Sequence, residues 1–417
     1  MPGPRFTSVS AMGGRQSASD FDMIVGAMGS AQVNNVASLY LGQVATRANI
    51  PSLLNTSFKQ INSRRFHIAR DDVTTLQLAF PNWFANNTVN EAGSGGTATF
   101  AASVEYPANT FTQVTWSASA TSPVVADGGT SPLSDAVAVA IPAGATFWVR
   151  VFGQYSNGVV LNSLGSSAFS AGGDQIEYAA SGLADRTMSG TIATGSTSVT
   201  FGACLIVAMT RKASFTIIGD SRNKGGASAP GIDTADATGD LGETARSVGI
   251  SFGYINAGTA SETQQQFLTN NSRRTALAQY TSHVINNGSV NDLINNRTAA
   301  QLQADVTSVA ALFPGKIYVQ STIGPRTTST DSWATTANQT PFAQEAARVT
   351  YNTALRNGSI SGVSRVVDFA DAIESARNSG LIAVSGGALS ADGLHWNQAG
   401  NIRIRDSGVF VPSSFAR

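Results

Sequence analysis

Gly219-Asp220-Ser221, Asn291-Asp292 and Asp392-Gly393-Leu394-His395 lie far apart in this 417-residue chain. Together they supply a hydroxyl, an amide donor and an acid–imidazole pair. A serine hydroxyl is a weak nucleophile and needs a base. An imidazole base needs a partner that holds its tautomer and stabilises it once charged. Of the three histidines, only His395 has a carboxylate three residues before it; His67 and His283 have none there and read as packing or surface residues. That spacing lets Asp392 reach the ring within one turn. A tetrahedral oxyanion needs donors already in place, and the Ser221 backbone N–H and the Asn291 side-chain amide suit the task. The inventory predicts acyl transfer with Ser221 as nucleophile, His395 as base and Asp392 as its orienting acid. Taken singly, Gly-Asp-Ser and Asp-x-x-His are weak signals, such turns being common, and a helix N-cap is an alternative role for Ser221, compatible with catalysis. Their order, with Asn-Asp between them, carries the combined reading. Asp220 reads as a turn-fixing residue and Asp292 as structural.

The elements that would position these groups follow from the apolar pattern. Strands are predicted at Ser214–Ile218, Ile250–Ile255, Tyr280–Ile285, Lys316–Gln320 and Arg365–Phe369, and helices at Ala299–Leu312 and Phe342–Arg356. This alternation is that of an open parallel sheet covered by helices on both faces. Ligands of such sheets sit beyond the carboxyl ends of the strands. Ser221 falls just past the first strand, Asn291 a few residues past the third, and His395 after the last.

These blocks, in this order, resemble the GDSL, or SGNH, hydrolase family over roughly the C-terminal 200 residues. The resemblance implies a three-layer α/β/α hydrolase domain, a cofactor-free serine esterase, and the triad Ser221, Asp392 and His395. It also implies an oxyanion hole from Ser221, Asn291 and a backbone N–H in the second block. The family's second block is usually Asn-x-Gly-x-x-Gly-x-Thr; here Asn256-Ala-Gly-Thr-Ala-Ser-Glu-Thr263 keeps Gly258 and puts Ser261 at the later glycine. Gly258 and Ser261 are thus both candidates for the oxyanion N–H. The third block, Gly288-Ser-Val-Asn-Asp292, is one residue longer than usual, so that without a gap Ser289 takes the glycine's place. After Ser221 stand Arg222-Asn223-Lys224 instead of the commoner Leu-Thr-Glu, which suggests a polar pocket with Arg222 contacting substrate. Trp396, beside His395, is expected either to wall the cleft or to pack in the core.

The rest of the chain carries no comparable chemistry. Residues 66–211 read as many short strands separated by turn clusters such as Asp127-Gly-Gly129 and Ala171-Gly-Gly173. The prediction is an antiparallel β-sandwich, jelly-roll-like, as an accessory domain before the hydrolase domain at 212–417. Strands are expected at Val73–Phe80, Ala98–Tyr106, Phe111–Ser117, Ala136–Ile141 and Ala145–Phe152. Trp83, Trp116 and Trp148 are core residues or a sugar-stacking platform. Residues 1–65 read as an N-terminal arm or adaptor with a helix from Asp20 to about Ala45, on the spacing of Phe21, Ile24, Val25 and Met28.

Composition narrows the function classes. Twenty-six basic and 26 acidic residues balance to zero net charge, and the basic ones are scattered, which disfavours nucleic acid or an anionic membrane as partner. The single cysteine, Cys204, excludes an intrachain disulfide and a multi-cysteine zinc site, and it lies in an apolar run that reads as a buried strand. No metal motif or glycine-rich phosphate loop occurs, and no cofactor is expected. No apolar run reaches the roughly 20 residues of a membrane span. The opening Met-Pro-Gly-Pro-Arg-Phe-Thr has no basic segment followed by an apolar core, so no signal peptide is expected. The low charged fraction, 12%, suits an extracellular or virion-associated protein.

The expected function is therefore hydrolysis of a carboxylic ester, with a short acyl group, such as acetyl, on a carbohydrate. The alternatives are a lipase or arylesterase acting on small lipophilic esters, and a phage-tail or particle-associated glycan-binding or structural protein with or without deacetylase activity. A homo-oligomer fits the last of these.

Overall fold

In the computed structural model the residues described are 37–163, 169–192, 200–224 and 233–417. From Leu39 onward they form one compact unit.

Two antiparallel sheets make the first part. One orders its strands Tyr40–Gln43, Leu205–Thr210, Val73–Ala79, Val137–Ile141; the other orders them Gln175–Ala179, Gln60–Ile68, Thr146–Tyr155, Ala98–Glu105, Phe111–Gln113. They share one apolar core that takes Leu76 and Ile206 from the first sheet and Phe100, Phe147 and Val151 from the second. The Leu205–Thr210 strand shows why its sequence is apolar without a break. Successive side chains on a strand face opposite ways. Ile206 and Ala208 enter the sandwich core, whereas Leu205 and Val207 join a second cluster with Leu277, Ala278 and Val284 of the α/β part. A strand buried on both faces needs an apolar residue at every position. Cys204, fully buried beside them, donates weakly to the Ala79 carbonyl, and burial pushes its thiol up to about 12.

The second part is a six-stranded sheet, parallel throughout, in the order Ala48–Asn49, Gly253–Asn256, Ser214–Ile218, His283–Asn286, Ile317–Ser321, Arg365–Val367. Helices cover both faces. Val306 and Val309 of helix Ala299–Ala311 pack with Tyr351 and Leu355 of helix Glu345–Arg356 on one face. Ala245 and Val248 of helix Glu243–Gly249 pack with Ile404 of helix Gln398–Asp406 on the other. The Ser214–Ile218 strand lies between the strand that follows it in sequence, Gly253–Asn256, and the next one, His283–Asn286. The order in which successive strands are added reverses there, and the crevice that such a switch point opens lies at the carboxyl end of Ile218.

Several expectations are corrected. The arm expected up to residue 65 already contributes strands from Tyr40, and Ala48–Asn49 is an edge strand of the parallel sheet. The expected helix lies partly outside the described residues, and its tail is instead the strand Tyr40–Gln43, paired with Val207–Thr210. The helical spacing ended at Met28, so nothing in it bore on residues 40–45. Helix Phe342–Arg356 starts only at Glu345, because Gln339–Pro341 pairs with Thr327–Ser329 in a hairpin. The second and third parallel strands begin later than expected, at Gly253 and His283; a helix end and the single turn Ala278–Tyr280 occupy the preceding residues. The Phe111 strand stops at Gln113, and a tight turn with positive φ at Ser117 and Ala118 follows. Among the described residues no helix is long and apolar enough to cross a membrane.

Candidate active site

Ser221 is presented by a turn that only certain residues can make. Gly219 has φ +127, and a Cβ there would run into the Asn287 amide oxygen. That oxygen accepts from the Asp220 N–H at 3.2 Å. Asp220 closes the turn by accepting the Arg222 N–H at 3.0 Å, and Asn223 donates to the Ile218 carbonyl at 2.7 Å. Burial pushes the Asp220 carboxyl up to about 6, against the pull of Arg222. Ser221 itself is 9% exposed.

His395 sits on a loop folded around two side chains. The Ser390 hydroxyl donates to the His395 carbonyl at 2.7 Å and accepts the Gly393 N–H at 2.9 Å. Asp392 Oδ1 accepts the backbone N–H groups of Leu394 and His395, at 2.9 and 2.8 Å. Its Oδ2 lies 2.7 Å from His395 Nδ1, and His395 Nε2 lies 2.8 Å from Ser221 Oγ. Burial raises the Asp392 carboxyl, but the hydrogen bonds from the imidazole and the two N–H groups outweigh it and hold the group well below the usual carboxylate range. An ionised carboxylate can only accept. The Nδ1 proton therefore points at Asp392, which leaves Nε2 free to accept from the serine hydroxyl. The residues predicted as nucleophile, base and acid are thus joined in one hydrogen-bonded chain, while the ring and carboxylate keep 14% and 24% side-chain exposure.

The oxyanion candidates separate. The Gly258 N–H is committed to Asn256 Oδ1 at 3.1 Å. Among the described residues the N–H groups of Ser221 and Ser261 have no hydrogen-bond partner. Ser261 has φ +61 and Ser289 φ +149. Both serines stand where the resembled family carries glycine, and both keep a backbone that glycine would adopt without strain. Asn291, in the first turn of helix Val290–Ile294, donates one amide hydrogen to the Glu262 carbonyl at 3.1 Å and so ties its own block to the one holding Ser261. An amide nitrogen carries two hydrogens, so one remains.

Two predicted substrate contacts are corrected. Arg222 is buried: its guanidinium donates to the carbonyls of Leu394, Gly324 and Pro325 at 3.0, 3.3 and 3.0 Å and lies 4.4 Å over the Trp396 ring. Trp396 is buried beneath it and donates from Nε1 to Glu243 at 2.7 Å. Neither has surface left for a substrate. They clamp the serine turn to the residues on either side of His395. Two further residues that the motifs did not single out complete this clamp. Asn287 accepts from Asp220 and donates to Glu243 at 2.8 Å, so that Glu243 receives both Asn287 and Trp396. Asn287 could have been flagged as a strand-end amide before Gly288; nothing in the sequence marks Glu243. Asp292 is buried and accepts the Gln264 N–H, and burial pushes it up to about 7.

Of the sandwich tryptophans, Trp83 and Trp116 are buried, with their N–H groups bonded to Thr130 and to the Pro132 carbonyl. The half-buried Trp148 is covered by the Arg64 guanidinium at 4.1 Å. These contacts favour the core reading of the three tryptophans over the stacking platform.

No family model matches the chain, and no curated protein matches it. Solved structures similar to it include a lipolytic protein of the G-D-S-L family from Desulfitobacterium hafniense DCB-2 (17% identity, 47% of this chain and 98% of that one, TM-score 0.35). Also similar are a single-residue variant of the acetyl xylan esterase Axe2 from Geobacillus stearothermophilus (16%, 49% and 96%, 0.36) and TesA (15%, 48% and 98%, 0.32). These are likenesses of fold, and each spans about half of this chain.

Proposed function

We propose that this protein is a serine esterase that removes short acyl groups, acetyl in particular, from a carbohydrate. One observation carries the catalytic part: the unbroken chain from Ser221 Oγ through His395 to Asp392, at 2.8 and 2.7 Å. In this reading His395 Nε2 takes the serine proton as Oγ attacks the ester carbonyl. The oxyanion is received by the Ser221 and Ser261 N–H groups and the remaining Asn291 amide hydrogen. His395 then returns the proton to the leaving alcohol, and water, activated by the same nitrogen, releases the acid. Asp392 keeps its charge and stabilises the imidazolium.

The short acyl group is supported by the polar residues that follow Ser221 and by the small volume, about 10 Å³, of the cavity that Ile218, Gly219, Gln264 and Phe267 line next to the serine turn. The antiparallel part is read as a jelly-roll-type sandwich.

The test is a p-nitrophenyl ester series followed by acetylated oligosaccharides. A pocket that cannot take one further methylene discriminates by roughly 10-fold or more. Acetate should exceed octanoate by at least about that factor in kcat/KM, and acetylated sugars should be deacetylated. A preference for octanoate would overturn the acetyl assignment and favour a lipase or arylesterase.

A further inference from the structure

A second cavity lies beside the serine turn, where the sandwich meets the parallel sheet. It encloses about 40 Å³, and among its lining residues are Arg47, Asn49, Arg65, Lys224, Tyr254 and Asn256. Three of these are cations. A buried charge is ordinarily paired, because removal from water costs far more than a neutral hydrogen bond returns.

Arg47 obeys that rule: its guanidinium meets Asp174 at 2.7 Å, both side chains buried. Arg65 does not. It is 3% exposed, and among the described residues it donates only to neutral oxygens, the Arg47 carbonyl at 3.0 Å and the Thr200 hydroxyl. Lys224 is half-buried, and its ammonium makes no hydrogen bond or ion pair among the described residues. Two carboxylates whose fields reach these cations are engaged elsewhere, Asp174 by Arg47 and Glu262 by Arg274 at 2.7 Å. The imbalance shows in both cations: burial, with Arg47 adding, pushes Arg65 down to about 9, and burial, with Arg65 and Arg274 adding, pushes Lys224 down to about 7.

We infer that this cavity is a binding site for a small oxyanion, a carboxylate or a group of similar size, held between Arg65 and Lys224. The volume fits: at about 10–15 Å³ per water, 40 Å³ takes roughly three waters or one carboxylate. Asn49 and Asn256 offer neutral polar atoms around the charge. The site does not depend on Ser221 acting as a nucleophile. Its position does bear on that reading, since the Lys224 N–H bonds the Ser221 carbonyl at 3.1 Å. The anion is either a free ion that braces the serine turn or the carboxylate of an acidic sugar.

Thermal unfolding in sodium formate, against sodium chloride at equal ionic strength, tests the site. Wild type should gain about 3 °C in Tm at saturating formate. Arg65→Met and Lys224→Met should lose that gain, and in chloride each should melt no lower than wild type, because an uncompensated charge has been removed. Should Arg65→Met fail to fold, Lys224→Met alone decides. Equal formate shifts in wild type and Lys224→Met, or no shift up to molar formate, would overturn the site. The two sources separate by kinetics. A carboxylate on the substrate predicts a KM at least about tenfold lower for an acetylated glucuronide than for the matching glucoside, a difference abolished by Lys224→Met. A bracing ion predicts the formate shift with equal KM values. If the formate result holds while no ester is cleaved, the anion site stands and the esterase reading falls.

Discussion

Ser221→Ala is expected to lower kcat/KM for p-nitrophenyl acetate by about 10⁴-fold or more, with the melting temperature within a few degrees of wild type. The side chain removed is one oxygen, and among the described residues its only polar partner is His395 Nε2, so little of the fold depends on it. His395→Ala should cost a similar factor, and the double variant should be no slower than either single one, because a nucleophile and its base act as a unit. Asp392→Asn should fall by on the order of 10⁴ as well. The new amide can donate to Nδ1 and so favours the tautomer whose Nε2 carries the proton, which cannot then accept from Ser221. Steady-state kinetics on the purified variants decides all three; a loss below about tenfold in Ser221→Ala would remove the serine from the mechanism.

The second large effect concerns stability. Arg274 is fully buried on helix Ser272–Leu277, with Glu91 of the Asn90–Gly93 strand at 2.9 Å and Glu262 at 2.7 Å. Glu91 also accepts the N–H groups of Arg273 and Arg274, at 2.8 and 3.0 Å. One guanidinium thus joins an early hairpin to the α/β part and holds the segment beside Ser261. Arg274→Met leaves buried Glu262 without its ion-pair partner and Glu91 with only the more distant Arg273, at 3.8 Å, and is expected to destabilise the protein by about 3–5 kcal/mol. The same change combined with Glu91→Gln and Glu262→Gln should recover part of that loss, since the stranded charges go with it. Urea unfolding followed by tryptophan fluorescence measures this, with Trp116 reporting the sandwich and Trp333 and Trp396 the α/β part. A change below about 1 kcal/mol would show that the triad adds little.

The parts of this molecule that were legible in the sequence are those written locally. The run Phe215-Thr-Ile-Ile218, the capping box of Thr298 and Gln301 ahead of helix Ala299–Ala311, and the Asp392-x-x-His395 spacing each state their structure within a few residues. What sequence reasoning missed depends on distant partners. Tyr40–Gln43 becomes a strand only because Val207–Thr210 lies beside it, and Ala48–Asn49 is two residues long, too short for any periodicity. Arg222 reads as a substrate contact because two cations and an amide follow the nucleophile in sequence. Its burial is decided by three carbonyls and an indole more than 100 residues away. The two serines at glycine positions teach the converse. Their side chains depart from the resembled pattern, while Ser261 and Ser289 both hold a positive φ that glycine adopts without strain.

The most direct test of the central claim is covalent trapping. Incubation with a fluorophosphonate, followed by intact-mass and peptide analysis, should add one phosphonyl group per chain, on Ser221. Ser221→Ala should take up none, and His395→Ala should react at least about 10³-fold more slowly, because the hydroxyl has lost its base. Labelling of another residue, or no labelling of a folded wild-type protein, would contradict the account.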